Sequence, residues 1–200
     1  MEQETLNAAI RAVAQAVIAH TQELTVLDQA IGDGDHGLNM KRGFQCVADL
    51  ADTISVLPLP QALQEIGKTL VMTVGGASGP LYGTFFMTLG KELPAAPTLP
   101  DLSHAVSVAI AAVERRGKSS AGQKTLLDVL VPVHEELCAG TANVYERVKR
   151  RAASAADATI PMLAVRGRAS FLGQRSIGHM DPGARSCALV ITALCDFLGD

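Results

Sequence analysis

The chain has 200 residues, 48% hydrophobic and 18% charged, with a formal net charge of −3. That apolar share excludes a disordered chain and suits one globular core over residues 1–200, while the net charge gives no general attraction to nucleic acid or anionic lipid. Aromatic residues make up only 4% and Trp is absent, so an all-α protein built on Ala, Leu and Val is favoured over a sandwich of aromatic-rich strands.

From the N-terminus, Leu6, Ile10, Val13, Val17 and then Leu24 recur at helical spacing. They predict a helix over 4–20 and another over 22–30 that is either separate or a continuation of the first. Further helices are expected at 37–50, 60–73, 79–91, 101–117, 123–139, 141–157 and 182–198, about eight in all. The prolines of 57-LPLP-60 and 94-PAAPTLP-100 mark plain connections. By contrast 75-GGASGP-80, 117-GKSSAGQ-123 and 166-RGRASFLGQRSIGHMDPG-183 are glycine-rich and polar, and loops gathered at one end of a helical bundle are a usual place for a ligand. No stretch approaches the roughly 20 apolar residues of a membrane span, and Glu2 and Glu4 stand where a signal peptide would be basic. Cys46, Cys138, Cys187 and Cys195 show no CxxC spacing and read as reduced core residues of a cytoplasmic protein, and 147-RVKRR-151 reads as a solvated helix face.

The densest chemistry lies in 31-IGDGDHGLNM-40. Its 32-GDGDHG-37 spells GxGxxG, but a dinucleotide turn needs a parallel strand feeding bare amides to a pyrophosphate. Here 24-LTVLDQAI-31 is a weak strand, and Asp33 and Asp35 would put negative charge where phosphate must sit. Asp28, Asp33 and Asp35 fall within eight residues, and the glycines between them permit convergence. Carboxylates about 4 Å apart repel by about 4 kcal/mol per pair at an effective dielectric near 20, so convergence requires a cation. Oxygen-only ligands with room for water suit Mg²⁺, whereas the DxDxDG order and terminal Glu of an EF-hand are missing. The competing reading has Asp35 capping a helix that starts at His36 or Gly37, with Asp28 and Asp33 facing water. His36 taken alone reads as a hydrogen-bonded structural histidine more readily than as a ligand, and Asn39, one turn into the helix, could turn its amide toward a phosphate or a metal-bound water.

In 75-GGASGPLYGTFF-86 the glycines free the backbone, Ser78 can cap, and Pro80 fits a first turn, which makes an anion site at a helix start. A Walker A lysine is missing, as are GxSxG and HExxH. In 178-GHMDPGA-184 the Asp-Pro order opens the last helix, and Arg166, Arg168 and Arg175 upstream offer charge-assisted bonds to phosphate, though not all three at once. An acidic Mg²⁺ loop with anion-binding helix starts describes a phosphate-ester or nucleotide site.

Four motifs in one order, 24-LTVLDQAIGDGDHGLNMKRGF-44, 75-GGASGPLYGTFF-86, 117-GKSSAGQKTLLDVLVPV-133 and 166-RGRASFLGQRSIGHMDPGA-184, span most of the chain. Together they resemble the nucleotide-binding L subunit family of dihydroxyacetone kinases and the C-terminal domain of the single-chain kinases. The resemblance implies a single-domain antiparallel barrel of about eight helices with ADP or ATP at one end. It implies that Asp28, Asp33 and Asp35 hold two Mg²⁺ ions, and that His36, Gly37, Leu38 and Asn39 adjoin the nucleotide. Ala77 and Ser78 then match the phosphate-binding glycine loop, Gly117 and Leu126 match positions near the base, and Arg168, Asp181, Pro182 and Gly183 match the closing loop. By the same resemblance the sugar sits on a separate K subunit, and the phosphoryl donor is either ATP or a phosphohistidine protein of the phosphotransferase system that recharges a retained ADP. A free-standing chain favours the second form. Homodimerisation, a related three- or four-carbon ketose, and a role as a Mg-ADP-sensing regulatory protein stay open.

Overall fold

Helical periodicity alone places most of the backbone. The computed structural model describes residues 2–140 and 142–199. It contains α1 (Gln3–Ala19), α2 (Thr21–Ile31), α3 (His36–Asp49), α4 (Ala51–Ile54), α5 (Leu59–Thr73), α6 (Ser78–Glu92), α7 (Leu99–Gly117), α8 (Leu127–Cys138), α9 (Val144–Asp157) and α10 (Pro182–Gly199), with a 3-10 segment at Arg168–Ser176. No strand occurs among the described residues.

Eight of these helices close a ring: α1 packs on α3, α3 on α5, and α5 through α10 each on the next, with α10 returning to α1. α2 lies against α3 and α10, outside that sequence of neighbours. Short connections make α5 through α9 run antiparallel in turn, and the pairing of Arg42 with Thr73 and of Lys149 with Asp196 shows the same sense for α3 on α5 and α9 on α10, so the starts of α3, α6, α8 and α10 gather at the same end as the finishes of α5, α7 and α9. One half of the ring buries Val17, Leu24, Met40 and Leu70; the other buries Val113, Leu127, Val129 and a run of alanines that includes Ala105, Ala109, Ala152 and Ala156. Small residues let the backbones come close. A Cβ at Gly67 would stand 2.8 Å from the Gly83 carbonyl and one at Gly83 2.7 Å from the Gly67 carbonyl, so α5 and α6 can meet only where both carry glycine. Thr98 and Asp101 form a capping box that starts α7 directly after the proline linker.

Several boundaries differ from the periodic reading, each for a local reason. α1 and α2 are separate helices: at His20 the backbone leaves helical geometry (φ −97°, ψ 15°) and Thr21 Oγ1 donates back to the Ile18 carbonyl at 2.6 Å. α8 starts at Leu127, not 123, because the Asp128 carboxylate takes the N–H groups of Gly122 and Thr125 and folds the preceding residues into a turn with Lys124 at φ 62°. α9 starts at Val144 after Asn143 at φ 49°; position 141, where the periodic helix was expected to begin, lies outside the described residues. α4 and the 3-10 segment carry no periodic signal long enough to predict them. Among the cysteines, Cys187 and Cys195 are buried and Cys46 is half-buried, but Cys138 is exposed, so the expectation of four core cysteines fails there. Arg147 is not simply solvated either: it donates to Glu136 Oε1 at 2.6 Å and to the Glu136, Gly140 and Ala142 carbonyls, closing the turn between α8 and α9. Among the described residues no helix is long and apolar enough to cross a membrane.

Candidate functional site

The acidic loop sits between α2 and α3. The element before it is a helix, which removes the strand that a dinucleotide turn needs. Asp28, in the last turn of α2, is buried, and its Oδ2 accepts the His36 N–H at 3.1 Å. A side chain at position 32 would overlap that carboxylate, so Gly32 is required for the chain to pass over Asp28. Asp33 and Asp35 are exposed, and one oxygen from each of the three aspartates lies within 4.8 Å of the others. Asp35 occupies the N-cap position of α3 yet makes no side-chain capping bond, so the capping alternative does not account for it. Three carboxylates with two faces open to solvent fit a hard divalent cation that retains water or takes phosphate oxygens.

His36 joins this loop to two others. Its Nδ1 lies 3.2 Å from Ser78 Oγ and its Nε2 3.0 Å from Ser186 Oγ, which Tyr82 OH approaches at 2.7 Å. Burial pulls the His36 pKa below its ordinary value against the raising effect of Asp28 and Asp35, while burial pushes the Tyr82 hydroxyl well up. The neutral ring is therefore an internal strut between the starts of α3, α6 and α10. Ser78 serves the same strut and does not cap: α6 has no side-chain capping bond. The first amides of α6, after Ala77, remain for an anion. Arg42 Nη2 donates to Asn39 Oδ1 at 2.9 Å and Arg42 Nε to the Thr73 carbonyl at 2.7 Å. With its oxygen so engaged, Asn39 offers its NH₂ as a donor.

At the start of α10, Asp181 Oδ2 accepts the Ala184 N–H at 2.7 Å, the N-cap expected of the Asp-Pro order, with Pro182 in the first turn. Burial raises its carboxyl to about 7, helped by Asp128 and Asp28 and opposed by the Ala184 bond and Lys124. The Gly183 position lies close to the Leu126 amide, and Gly117 borders Leu81 on α6, which sets Gly117, Leu126 and Gly183 around the same ring end. Of the three arginines, Arg168 Nη2 reaches Asp33 at 3.0 Å, whereas Arg166 donates to Gln123. Ile31, Gly32, Asp33, Arg168, Phe171 and Leu172 line a cavity of about 190 Å³ between the acidic loop and the 3-10 segment. Leu38 points outward, 60% exposed.

The acidic loop, the glycine loop and the Asp-Pro helix start thus fall at one end of the ring, Asp28 and His36 in direct contact and Gly117 joined through Leu81. Sequence reasoning missed Tyr82, Ser186, Arg42, Asp128 and Lys124. The last two carried a legible signal, an Asp six residues after Gly122 and able to fold 122-GQKT-125 as a turn; Tyr82 and Ser186 sit one helical turn inside their helices and read as core.

An all-helical ring whose acidic loop, glycine loop and Asp-Pro helix start meet at one end defines a barrel-type domain built to take a phosphate ester with a cation. The model of the DAK2 domain matches residues 30–196, and the chain belongs to that family. It is 43% identical over 182 residues to the PEP-dependent dihydroxyacetone kinase, ADP-binding subunit DhaL, of Escherichia coli, with 87% of each chain covered. It is 38% identical over 173 residues to the PTS-dependent dihydroxyacetone kinase, ADP-binding subunit DhaL, of Lactococcus lactis, with 86% of each covered. The crystal structure of the dihydroxyacetone kinase from C. freundii in complex with AMP-PNP and Mg²⁺ superposes with a TM-score of 0.78 at 25% identity, over 96% of this chain and 33% of that one.

Proposed function

We propose that the chain is the nucleotide-holding subunit of a dihydroxyacetone kinase. It binds Mg-ADP or Mg-ATP at the acidic end of the ring and presents the phosphoryl group to dihydroxyacetone held on a separate K subunit in the cytoplasm. The observation that carries this reading is the meeting of Asp28, Asp33 and Asp35 within 4.8 Å at the same end as the starts of α3 and α6. Its likeness over nearly the whole of both chains to DhaL subunits favours ADP kept as a coenzyme and recharged by a phosphohistidine protein.

In this reading Asp28, Asp33 and Asp35 hold two Mg²⁺ ions. When bound, the metal offsets the carboxylates and the phosphates and lowers the repulsion facing an incoming hydroxyl. The amides after Ala77 and the Asn39 NH₂ orient phosphate oxygens; Gly117 and Leu126 border the base; Arg168, with Asp181, Pro182 and Gly183 at the start of α10, closes over the metal loop. His36 has both ring nitrogens engaged by serines, which makes it a strut and leaves it unsuited to carry the phosphoryl group itself. Phe171 is 88% exposed, Met72 84% and Leu38 60%, each on or beside a loop of the site, an apolar rim suited to a docking partner.

The test is to purify the chain, identify any retained nucleotide, and follow phosphate transfer from ATP or from a phosphotransferase donor, with and without a candidate K subunit. Transfer only with the K subunit, lost in Asp33→Ala, is the expected result. Turnover of free dihydroxyacetone by the chain alone, or full nucleotide binding in Asp33→Ala, would overturn it.

A further inference from the structure

A lysine inside the ring end has no part in the chemistry just described. Lys124 is 1% exposed and stands at φ 62° in the turn organised by Asp128. Its Nζ donates to the Ser176 carbonyl at 2.6 Å and to the Met162 carbonyl at 3.1 Å. Those carbonyls stand near the two ends of the 158–181 segment, whose middle carries Arg168 and Phe171. That segment has little core of its own: Ala164 and Ala169 pack with Ile31 and Leu172. The rest of its hold is polar and centres on the same place. Ser176 Oγ accepts the Ala164 N–H at 3.0 Å and donates to the Gly173 carbonyl at 2.7 Å. The Gly178 N–H donates to the Ile160 carbonyl at 2.8 Å, and the Arg166 guanidinium and Val165 N–H reach Gln123, next to Lys124. Sealing an ammonium from water is costly and is not a packing choice that a methionine would fail to meet. Here the cost is offset by the two carbonyls that Nζ bonds.

We infer that Lys124 is a positioning residue that draws the two ends of the 158–181 segment together and thereby holds Arg168 against Asp33. This rests on the reading that the segment closes over a bound nucleotide. Both hydrogen bonds of Lys124 Nζ go to backbone carbonyls of the segment and neither to a residue proposed to hold metal or phosphate. It sets how long the closed arrangement lasts, and so how firmly a nucleotide is retained.

The test compares wild type, Lys124→Met, Lys124→Gln and Lys124→Arg in the full chain. Amide hydrogen exchange without nucleotide is expected to be at least tenfold faster at Ala164, Ser176 and Gly178 in Lys124→Met, with the amides of α5 and α6 unchanged. Dissociation of a fluorescent ADP analogue in Mg²⁺ is expected to be at least tenfold faster, with partial rescue in Lys124→Arg. In the Arg168→Ala background, Lys124→Met should add less than twofold, because the lysine acts through that arginine; a purely structural lysine would add its full effect. Unchanged exchange in the segment, dissociation within twofold of wild type, or full additivity overturns the inference. So does failure of both Lys124→Met and Lys124→Gln to fold, which would make the residue part of the core. If wild type itself binds no ADP analogue, the reading of the site fails, and the exchange comparison still judges Lys124.

Discussion

Asp35→Asn separates a metal site from an ornamental acidic loop because its effect must change sign with Mg²⁺. Asp35 is exposed, makes no capping bond, and shares with Asp28 and Asp33 a cluster whose oxygens lie within 4.8 Å. At that separation two charges repel by about 0.9 kcal/mol in a water-like dielectric and about 3.5 kcal/mol at an effective dielectric of 20. Exposure puts Asp35 near the lower figure, and the substitution removes two of the three pairs. Without metal the variant should therefore be more stable than wild type by about 2 kcal/mol, a rise in Tm of about 4–8 °C for a chain of this size. In millimolar Mg²⁺ with ADP the order should reverse: wild type gains RT ln(1 + [L]/Kd), about 2.7 kcal/mol at a hundredfold excess over Kd, and the variant gains little. Thermal unfolding in EDTA and in Mg-ADP measures both halves. A variant that is no more stable in EDTA, or that keeps the full Mg-ADP shift, would show that these aspartates do not act as one cation site.

Three further outcomes follow from the geometry. Asp181 has its carboxyl raised to about 7 in the fold, above its ordinary value of 3.8, so its contribution to stability is complete below about pH 4 and is lost as pH rises through 7. Asp181→Asn, which can still cap α10, should lose that slope and gain on wild type by roughly 4 kcal/mol between pH 4 and pH 8 in metal-free urea titrations; a constant difference across that range would contradict the assignment. Gly79→Ala drives a Cβ into the Val74 carbonyl, whereas Gly76→Ala meets open space and only the strain of φ 66°. ADP binding measured by calorimetry should fall tenfold or more in the first, while the second costs about 1 kcal/mol of stability; equal losses would mean that the glycine loop is not shaped by that contact. Ser186→Ala leaves the buried His36 Nε2 without its 3.0 Å partner and should cost about 1–3 kcal/mol in chemical unfolding, and a loss below 0.5 kcal/mol would deny the strut.

The ring of helices was legible because apolar residues at a period near 3.6 survive in every long element, from Leu6, Ile10 and Val17 in α1 to Val106, Ile110 and Val113 in α7. The acidic loop was legible because three aspartates among glycines have an electrostatic cost that local structure does not relieve. What escaped were groups whose role exists only across the ring. Ser186 and Tyr82 lie 104 residues apart and meet at 2.7 Å; nothing near either one in the sequence marks it as polar machinery. Lys124 falls inside the helix that the periodicity predicts over 123–139. Only the left-handed turn pinned by Asp128 aims it inward, and a side-chain-to-amide bond of that kind competes with helix formation without altering the apolar period.

The antiparallel ring also bears on how phosphate is recognised. A helix start carries about half a positive charge and a helix end about half a negative one. At the site end the starts of α3, α6, α8 and α10 alternate with the finishes of α5, α7 and α9, so the macrodipoles largely cancel around the rim. The rim as a whole therefore exerts little pull on an anion, and three carboxylates lie inside it. A bare phosphate would meet net repulsion there; a phosphate arriving with a divalent cation would not. On the proposed function, selectivity for the metal-bound nucleotide would then be a property of the loops, the carboxylates taking the cation and the α6 amides the oxygens. Inorganic pyrophosphate should consequently bind in Mg²⁺ and fail to bind in EDTA at the same concentration, and binding of equal strength in both would place the anion at the helix starts alone.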